Sequence, residues 1–467
     1  MLKLFNTATN SIDEFTPMNA GEVSLYTCGL TVYDYGHIGN FRTFLLYDIL
    51  RRTLEVQGYD VLHIQNVTDV GHLTDDADAG DDKMEKGAAR EGRTAWEVAS
   101  FYTAAWLEDS VALNIKRASV IPKATDHIQE QIDLVQKLEE KGHTYTTSDG
   151  IYFDTSTFAD YGKMARLDIE GLQEGARVEA HAEKKNPTDF ALWKFSPQNG
   201  TQRAMEWESP WGIGFPGWHL ECSAMAMKYL GDTMDIHAGG VDHKPIHHTN
   251  EIAQSEAASG KPFAHWWVHA DFLQVDGGKM GKSLGNAYTL DDMQERGYSP
   301  LDYRYFVLSS HYRSKLNFTW KAMDSAQTAM NKLVWKLSQW DETGNVIENL
   351  YSNFMAAVEN DLNLSEALAV LWATVKSANK NGDKAATLYK MDEILGLALR
   401  SQADNMRNRI DAAGENMQQL LIERDEARSD KNWEIADQIR DQIAKMGFIV
   451  EDTDDGAILR PAKPNEQ

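Results

Sequence analysis

The chain has 467 residues, 42% of them hydrophobic and 25% charged, with 33 Gly and 11 Pro, a balance that excludes collagen-like, low-complexity and disordered classes. A net charge of −25 repels nucleic acid and anionic membrane on average, so any polyanion must meet a local basic patch. No stretch approaches the roughly 18 uninterrupted apolar residues of a membrane span, no signal or transit segment is indicated, and two cysteines cannot make a secreted disulfide framework. A cytoplasmic protein of two to four domains is expected.

Residues 22–67 read as one βαβ unit. Val23–Cys28 is extended, a Gly-containing turn follows, Phe41, Phe44, Leu45 and Ile49 mark one side of a helix that stops before Gly58, and Val61–Val67 is extended again. This pattern predicts a parallel sheet with a ligand crevice at the strands' C-terminal ends, where Cys28 and His37 sit. The acidic run Asp75–Asp82 reads as a solvated loop, and residues 97–140 are helical in period. Tyr145–Asp154 reads as a hairpin and the polar stretch through Lys184 and Lys185 as an inserted lobe. The sheet pattern is expected to resume near Phe190–Trp193, and again at Thr233–His237, which runs into Gly239 and Gly240.

From Thr319 the period is that of helices. Ala322, Ala326, Ala329, Leu333 and Leu337 form one stripe, Leu350, Phe354 and Ala357 a second, Leu368, Leu371 and Val375 a third, and Leu388, Met391, Leu395 and Leu399 a fourth. Such stripes are bundle core and carry no chemistry. The tail, residues 413–467, adds a charged helical pair around Leu420–Ile443 and a short extended segment at Phe448–Val450.

Three groups of residues carry candidate chemistry. In His247-His-Thr-Asn-Glu251, the first and last residues lie four apart on one helical face and can grip one metal ion. With Cys28 and Cys222 they make a Cys₂HisGlu set suited to Zn²⁺, although a histidine at a helix start is more often a structural hydrogen-bonder, and for the cysteines core filler and nucleophile stay open. His37-Ile-Gly39-Asn40 stands at a strand-to-helix turn, where backbone N–H groups and the helix dipole favour phosphate. Gly277-Gly-Lys279-Met-Gly-Lys282-Ser283 puts two lysines on a Gly-rich turn, either solvated surface or a phosphate clamp.

Taken in order, Cys28-Gly, His37-Ile-Gly-Asn40, Gly217-Trp218-His-Leu-Glu-Cys222, His247-His-Thr-Asn-Glu251 and Lys279-Met-Gly-Lys282-Ser resemble a class I aminoacyl-tRNA synthetase, and closely the cysteinyl-tRNA synthetase family. Asn66-Val-Thr68-Asp, Asn186-Pro-Thr-Asp-Phe-Ala-Leu-Trp193 and Leu308-Ser-Ser-His-Tyr-Arg313 extend the resemblance over essentially the whole chain. It implies an α/β fold: a Rossmann-like parallel-sheet catalytic domain split by an inserted lobe, then an α-helical bundle and a small C-terminal domain. The implied division is 1–115 and 191–272 for the catalytic halves, 116–190 for the lobe and 273–318 for a stem-contact region with the lysine loop. The bundle is expected over 319–412 and an anticodon-binding domain over 413–467.

The resemblance also implies the chemistry. One zinc per chain is held at Cys28, Cys222, His247 and Glu251 and binds the thiolate of L-cysteine, with Thr68 and Trp218 in the cysteine pocket. His37, Asn40, Lys279 and Lys282 handle the phosphates of ATP, supplied with Mg²⁺; Gly39 permits close approach, and the turn of Gly239, Gly240 and Asp242 holds adenosine. Arg428, Trp433 and Asp437 match positions that contact the anticodon of tRNA(Cys). A cytoplasmic monomer without a membrane partner is expected. The chain departs from the family pattern in five places: Asn40 stands where the signature has a second histidine, Gly281 where it has a serine and Thr249 where it has an acid, Asp242-His243-Lys244 is more basic than the pattern, and Gly456-Ala-Ile-Leu459-Arg lacks a tryptophan. Two rivals are a related ligase that passes activated cysteine to an amino sugar and a catalytically silent RNA-binding relative. The charged tail argues against the first, and retention of the zinc positions and lysines against the second.

Overall fold

In the computed structural model the described residues are 1–71, 82–167, 183–197, 203–281, 284–340, 344–413, 417–453 and 456–462. Four parallel strands build the central sheet: β1 (Glu22–Thr27), β2 (Asp60–Gln65), β3 (Met234–Gly240) and β4 (Ala264–Ala270), in the spatial order β4-β3-β1-β2. Helix α1 (Ile38–Val56) joins β1 to β2, α2 (Trp218–Leu230) leads into β3, and α3 (His247–Ser259) joins β3 to β4. The connections from β1 and β3 leave in opposite directions, so a crevice opens beyond the C-terminal ends of these two neighbours. The βαβ unit is therefore as expected, and Phe41, Phe44, Leu45 and Ile49 are buried with Val23 and Leu25 in one apolar core.

Two expectations are corrected in the connection between β2 and β3. Residues 97–140 are not one helical run: helices end at Ala112 and resume at Ala124 and Ile128, and Val120 and Lys123 form parallel bridges with Ile64 and Val67. The outer edge of the sheet takes these partners, with Gln65 N–H donating to Val120 at 3.1 Å and Val67 N–H to Pro122 at 2.8 Å, because an uncovered strand edge leaves backbone groups unpaired. Nor does Phe190–Phe195 resume the central sheet. It lies in a separate antiparallel sheet with Thr144–Thr146, Gly150–Phe153 and Gly214–Pro216. An apolar run marks a buried strand but says nothing of its partner. Of the acidic run, only Asp82 is among the described residues.

Beyond β4, Leu273–Val275 pairs antiparallel with Gly278–Lys279 and parallel with Leu316–Phe318, which places the first lysine of the Gly-rich turn on a hairpin. Helices Trp320–Ser338, Glu348–Glu359, Leu364–Lys376, Asn381–Leu395 and Leu399–Ala413 follow. Their predicted stripes are buried or packed against the same core as the sheet, except that the fourth spans two helices, broken at Gly396 in the left-handed region with φ 64°. The tail forms helices Met417–Ser429 and Trp433–Lys445 and an antiparallel hairpin of Phe448–Thr453 with Gly456–Pro461. Among the described residues no helix is long and apolar enough to cross a membrane.

Candidate active site and metal centre

A cavity of about 430 Å³ opens at the crevice, lined among others by Cys28, His37, Gly39, Asn40, Gly240, Asp242, His243, Asp271, Gln274, Lys279, Met280 and Lys315. Its position follows from local structure. His37 is the N-cap of α1: its Nδ1 accepts from the Asn40 N–H at 3.1 Å while Asn40 Oδ1 accepts from the His37 N–H at 3.0 Å, a capping box that satisfies two orphan donors of the helix end. With Nδ1 accepting, the ring proton sits on Nε2. Asn40 thus fills the capping position with its side-chain amide. The lysine hairpin closes over this end, since a Cβ added at Gly39 would fall 2.2 Å from the methyl of Met280. Asn286 brackets the hairpin, its Oδ1 accepting from the Gly281 N–H at 2.9 Å and its Nδ2 donating to the Lys279 carbonyl at 3.1 Å. Gly281 therefore keeps a defined backbone bond without the serine hydroxyl. Lys282 and Ser283 lie outside the described residues.

At the far end the four expected ligands fall into two groups that share Cys28. Ligand atoms of Cys28, Cys222 and His247 lie within 4.8 Å of one another, as do those of Cys28, His237, His248 and Glu251, so Cys28 belongs to both groups. Glu251 Oε2 is 3.7 Å from His247 Nε2 and links them. All these side chains are buried, and Glu251 is fully so. His219 Nδ1 lies 3.0 Å from His247 Nδ1, which leaves His247 Nε2 for a metal, the usual arrangement of a supported histidine ligand. Behind Cys28 runs a chain of contacts: its Sγ to His248 Nε2 at 3.4 Å, His248 Nδ1 to His269 Nε2 at 2.8 Å, and His269 Nδ1 to Thr7 Oγ1 at 2.7 Å.

The electrostatics call for a cation. Glu251 Oε2 is buried and makes no hydrogen bond, and the groups ranged around it at 3.1–3.8 Å are the imidazoles of His237, His247 and His248. Burial pushes His248 and His269 well below the usual histidine range, with their neighbouring histidines adding to the fall, so His248 does not supply the charge. Burial likewise pushes the Cys28 thiol well above its ordinary value, helped by Cys222. A divalent ion reverses that preference by holding the thiol deprotonated, and a mixed set of sulfur, nitrogen and oxygen donors suits zinc.

The remaining expected residues divide. Trp218 begins α2 and packs on His247 with ring centroids 4.7 Å apart, beside the ligand cluster. Thr68 is buried, its Oγ1 accepting from Asn66 Nδ2 at 3.1 Å while Asn66 Oδ1 accepts from the Gly29 N–H at 2.9 Å. Neither residue is among the cavity lining. Gly239 is also absent from the lining; a Cβ there would sit 2.5 Å from His248 Cε1 and 2.9 Å from His243 Nδ1, so it makes room for these two rings. Sequence reasoning gave no site role to His219, His237, His243, His248 or His269. Of these, only His248, adjacent to His247 and three residues before Glu251, had a spacing that could have marked it.

In the tail, Trp433 is 56% exposed at the first position of its helix, and the Arg428 guanidinium lies 5.6 Å from its ring centroid. Asp437 pairs with Arg440 at 3.1 Å on the next turn. Trp433 is therefore a surface side chain and not part of the tail's core.

A family profile described as tRNA synthetases class I (C) catalytic domain matches residues 14–328, a DALR domain matches 353–406, and a cysteinyl-tRNA ligase anticodon binding domain matches 411–460. The chain is 50% identical to cysteine–tRNA ligase 1 of Burkholderia lata over 459 residues, covering 98% of this chain and 96% of that protein. It is 44% identical to the cysteine–tRNA ligase of Treponema denticola over 481 residues, covering 97% and 98%. In fold it resembles Mycobacterium tuberculosis methionyl-tRNA synthetase in complex with methionyl-adenylate, with a TM-score of 0.56 at 15% identity over 82% of this chain and 91% of that one. A helix-capping signature, a lysine hairpin folded over it and a thiol-bearing cluster at one crevice accord with matches that run almost end to end: the chain belongs to the class I aminoacyl-tRNA synthetases, in the cysteine–tRNA ligase family.

Proposed function

We propose that the protein activates L-cysteine with ATP and transfers it to tRNA(Cys), acting as a cytoplasmic monomer. The observation that carries this reading is the double membership of Cys28, which lines the nucleotide-sized cavity and also belongs to both metal-capable groups. A zinc ion fits Cys28, Cys222, His247 and Glu251, with His219 supporting His247 and His237 and His248 as outer partners. When bound it supplies a Lewis acid that selects a thiolate over a hydroxyl, where a pocket sorting by size alone discriminates poorly between near-isosteres.

The chain's own residues do the rest. His37 offers its Nε2–H, and Asn40, Lys279 and Lys282 offer donors and charge to the triphosphate, with Mg²⁺ accompanying the ATP. Gly240 and Asp242 line the nucleoside side. Adenylate formation is attack of a cysteine carboxylate oxygen on the α-phosphorus, breaking the bond to pyrophosphate; preorganised donors stabilise the charge that gathers on the oxygens. The terminal ribose hydroxyl of the tRNA then attacks the adenylate carbonyl, and AMP leaves. Arg428, Trp433 and Asp437 present an exposed aromatic face with polar edges, which suits unstacked anticodon bases.

The test is cysteine-dependent exchange of labelled pyrophosphate into ATP followed by transfer to tRNA(Cys). Both are expected. Exchange without transfer to tRNA, but with transfer to a small amine, replaces this reading by the amino-sugar ligase; absence of exchange overturns it.

A further inference from the structure

His243 is the side chain that the proposed reaction leaves unused and that the structure places between its two halves. Its ring lines the cavity beside Gly240, Asp242 and Cys28. The same ring lies 5.2 Å from His247 and 5.3 Å from His248, centroid to centroid, and stands edge-on to Trp218 at 6.5 Å. It therefore touches the amino-acid end of the site while facing the nucleotide end. Its backbone is held on both sides: the His243 N–H donates to the Gly240 carbonyl at 3.0 Å, and the His243 carbonyl accepts from the His248 N–H at 2.9 Å. Gly239 leaves the space into which the ring fits.

The polar atoms give the direction. Nδ1 of His243 is buried and has no hydrogen-bond partner among the described residues. A buried N–H left without an acceptor carries its full desolvation cost, and no acceptor lies within hydrogen-bond distance of Nδ1 among the described residues. The packing thus favours the tautomer with its proton on Nε2, the nitrogen left to the cavity. At that place a cysteine carboxylate must approach the α-phosphate, and two oxyanions come together near the acidic Asp242. A fixed donor there lowers the repulsion.

Resting on the ligase reading above, we propose that His243 is a further substrate-contacting residue, donating through Nε2 to the oxyanions that meet in adenylate formation. The experiment compares His243→Leu, His243→Asn and His243→Gln in the zinc-loaded full chain, by cysteine-dependent pyrophosphate exchange with separate KM values for cysteine and ATP, zinc content and Tm. A glutamine amide reaches the place of Nε2 and an asparagine amide that of Nδ1. The expected result is a fall of about 10- to 100-fold in kcat/KM for the leucine and asparagine variants, the effect of losing one hydrogen bond to a charged group, with recovery in the glutamine variant and full zinc content in all three. The proposal is overturned if leucine keeps exchange within about twofold of the unaltered chain, if glutamine does no better than asparagine, or if activity merely follows lost zinc. Absence of exchange in the unaltered chain overturns the ligase reading itself, a result separable from any difference among the variants.

Discussion

Cys28 owes its place to its position one residue beyond β1, and it shows how much a single side chain's neighbours decide. The same thiol is an inert buried group when surrounded by hydrocarbon and a ligand when it faces Cys222, His247 and Glu251. Purified protein is expected to carry about one zinc per chain, as for a single four-ligand site, and Cys222→Ala to lose most of it. Metal analysis checks this, and full occupancy in a Cys28, Cys222 double alanine variant counts against the site. Lys279 lies at the other end of the cavity, away from the thiol cluster. Lys279→Ala is expected to slow adenylate formation by about 10²–10³-fold, the range for losing one stabilising charge in a transition state, while KM for cysteine stays near its original value. Equal rates in exchange assays would make the hairpin ordinary surface. The pairing of His247 with Glu251 was legible in sequence because a helix fixes their spacing, whereas Cys28 and Cys222 joined them only through the family resemblance. His237 and His269 were not legible, because they project from two different strands and only the ladder between β3 and β4 brings them together.

Among elements, α1 matters most, since its N-terminus carries the signature and its body anchors it. Arg42, two residues after Asn40, is buried and donates to the carbonyls of Phe272 and Ser314, each next to residues of the cavity wall. Further along, Asp48 is buried between Arg304 and Arg52, Arg304 donates to the Leu395 carbonyl at 2.6 Å, and Arg52 donates to the Asn114 carbonyl at 2.7 Å. The helix is thereby clamped to the end of Asn381–Leu395 in the bundle. Burial alone would raise the Asp48 carboxyl, but Arg304 and Arg52 outweigh it and hold it below the ordinary range. A lowered folded value means that the contribution is present above the unfolded carboxylate value of about 3.9 and lost as pH falls through the folded one. Asp48→Asn should destabilise by about 3–5 kcal/mol at neutral pH, the cost of breaking a buried pair on one side. Urea unfolding at pH 7 and pH 3 checks this; a difference from the unaltered chain that does not shrink at pH 3 would remove Asp48 from the account. Nothing in the helical period of α1 announced this clamp, because Asp48 and Arg304 lie 256 residues apart.

At the scale of the whole molecule, the helical tail stands away from the chemistry. Arg424 is buried and braces the tail hairpin through Asp452 at 2.9 and 3.0 Å, whereas Trp433 is left outside with Arg428 beside it. Trp433→Ala is therefore expected to cost about 1–3 kcal/mol of tRNA binding, the usual worth of one aromatic platform, without lowering Tm. Removing residues 413–467 should impair transfer to tRNA while pyrophosphate exchange survives. A truncated chain that charges tRNA as well as the intact one would refute the assignment of the tail.

The sequence by itself determined the local and short-range features: the βαβ unit, the strand-to-helix signature turn, the spacing of His247 and Glu251, the hairpin at Tyr145–Asp154, the helical stripes and the charged tail. Each rests on a periodicity or a cap that a few neighbouring residues carry. Tertiary structure alone decided which sheet Phe190–Phe195 joins, that Val120–Lys123 covers the edge of β2, that Gly239 serves two histidine rings, and that His243 lines the cavity beside the thiol cluster. Those outcomes depend on which surfaces must be covered and which buried polar groups must find partners, and such demands arise only once distant segments have come together.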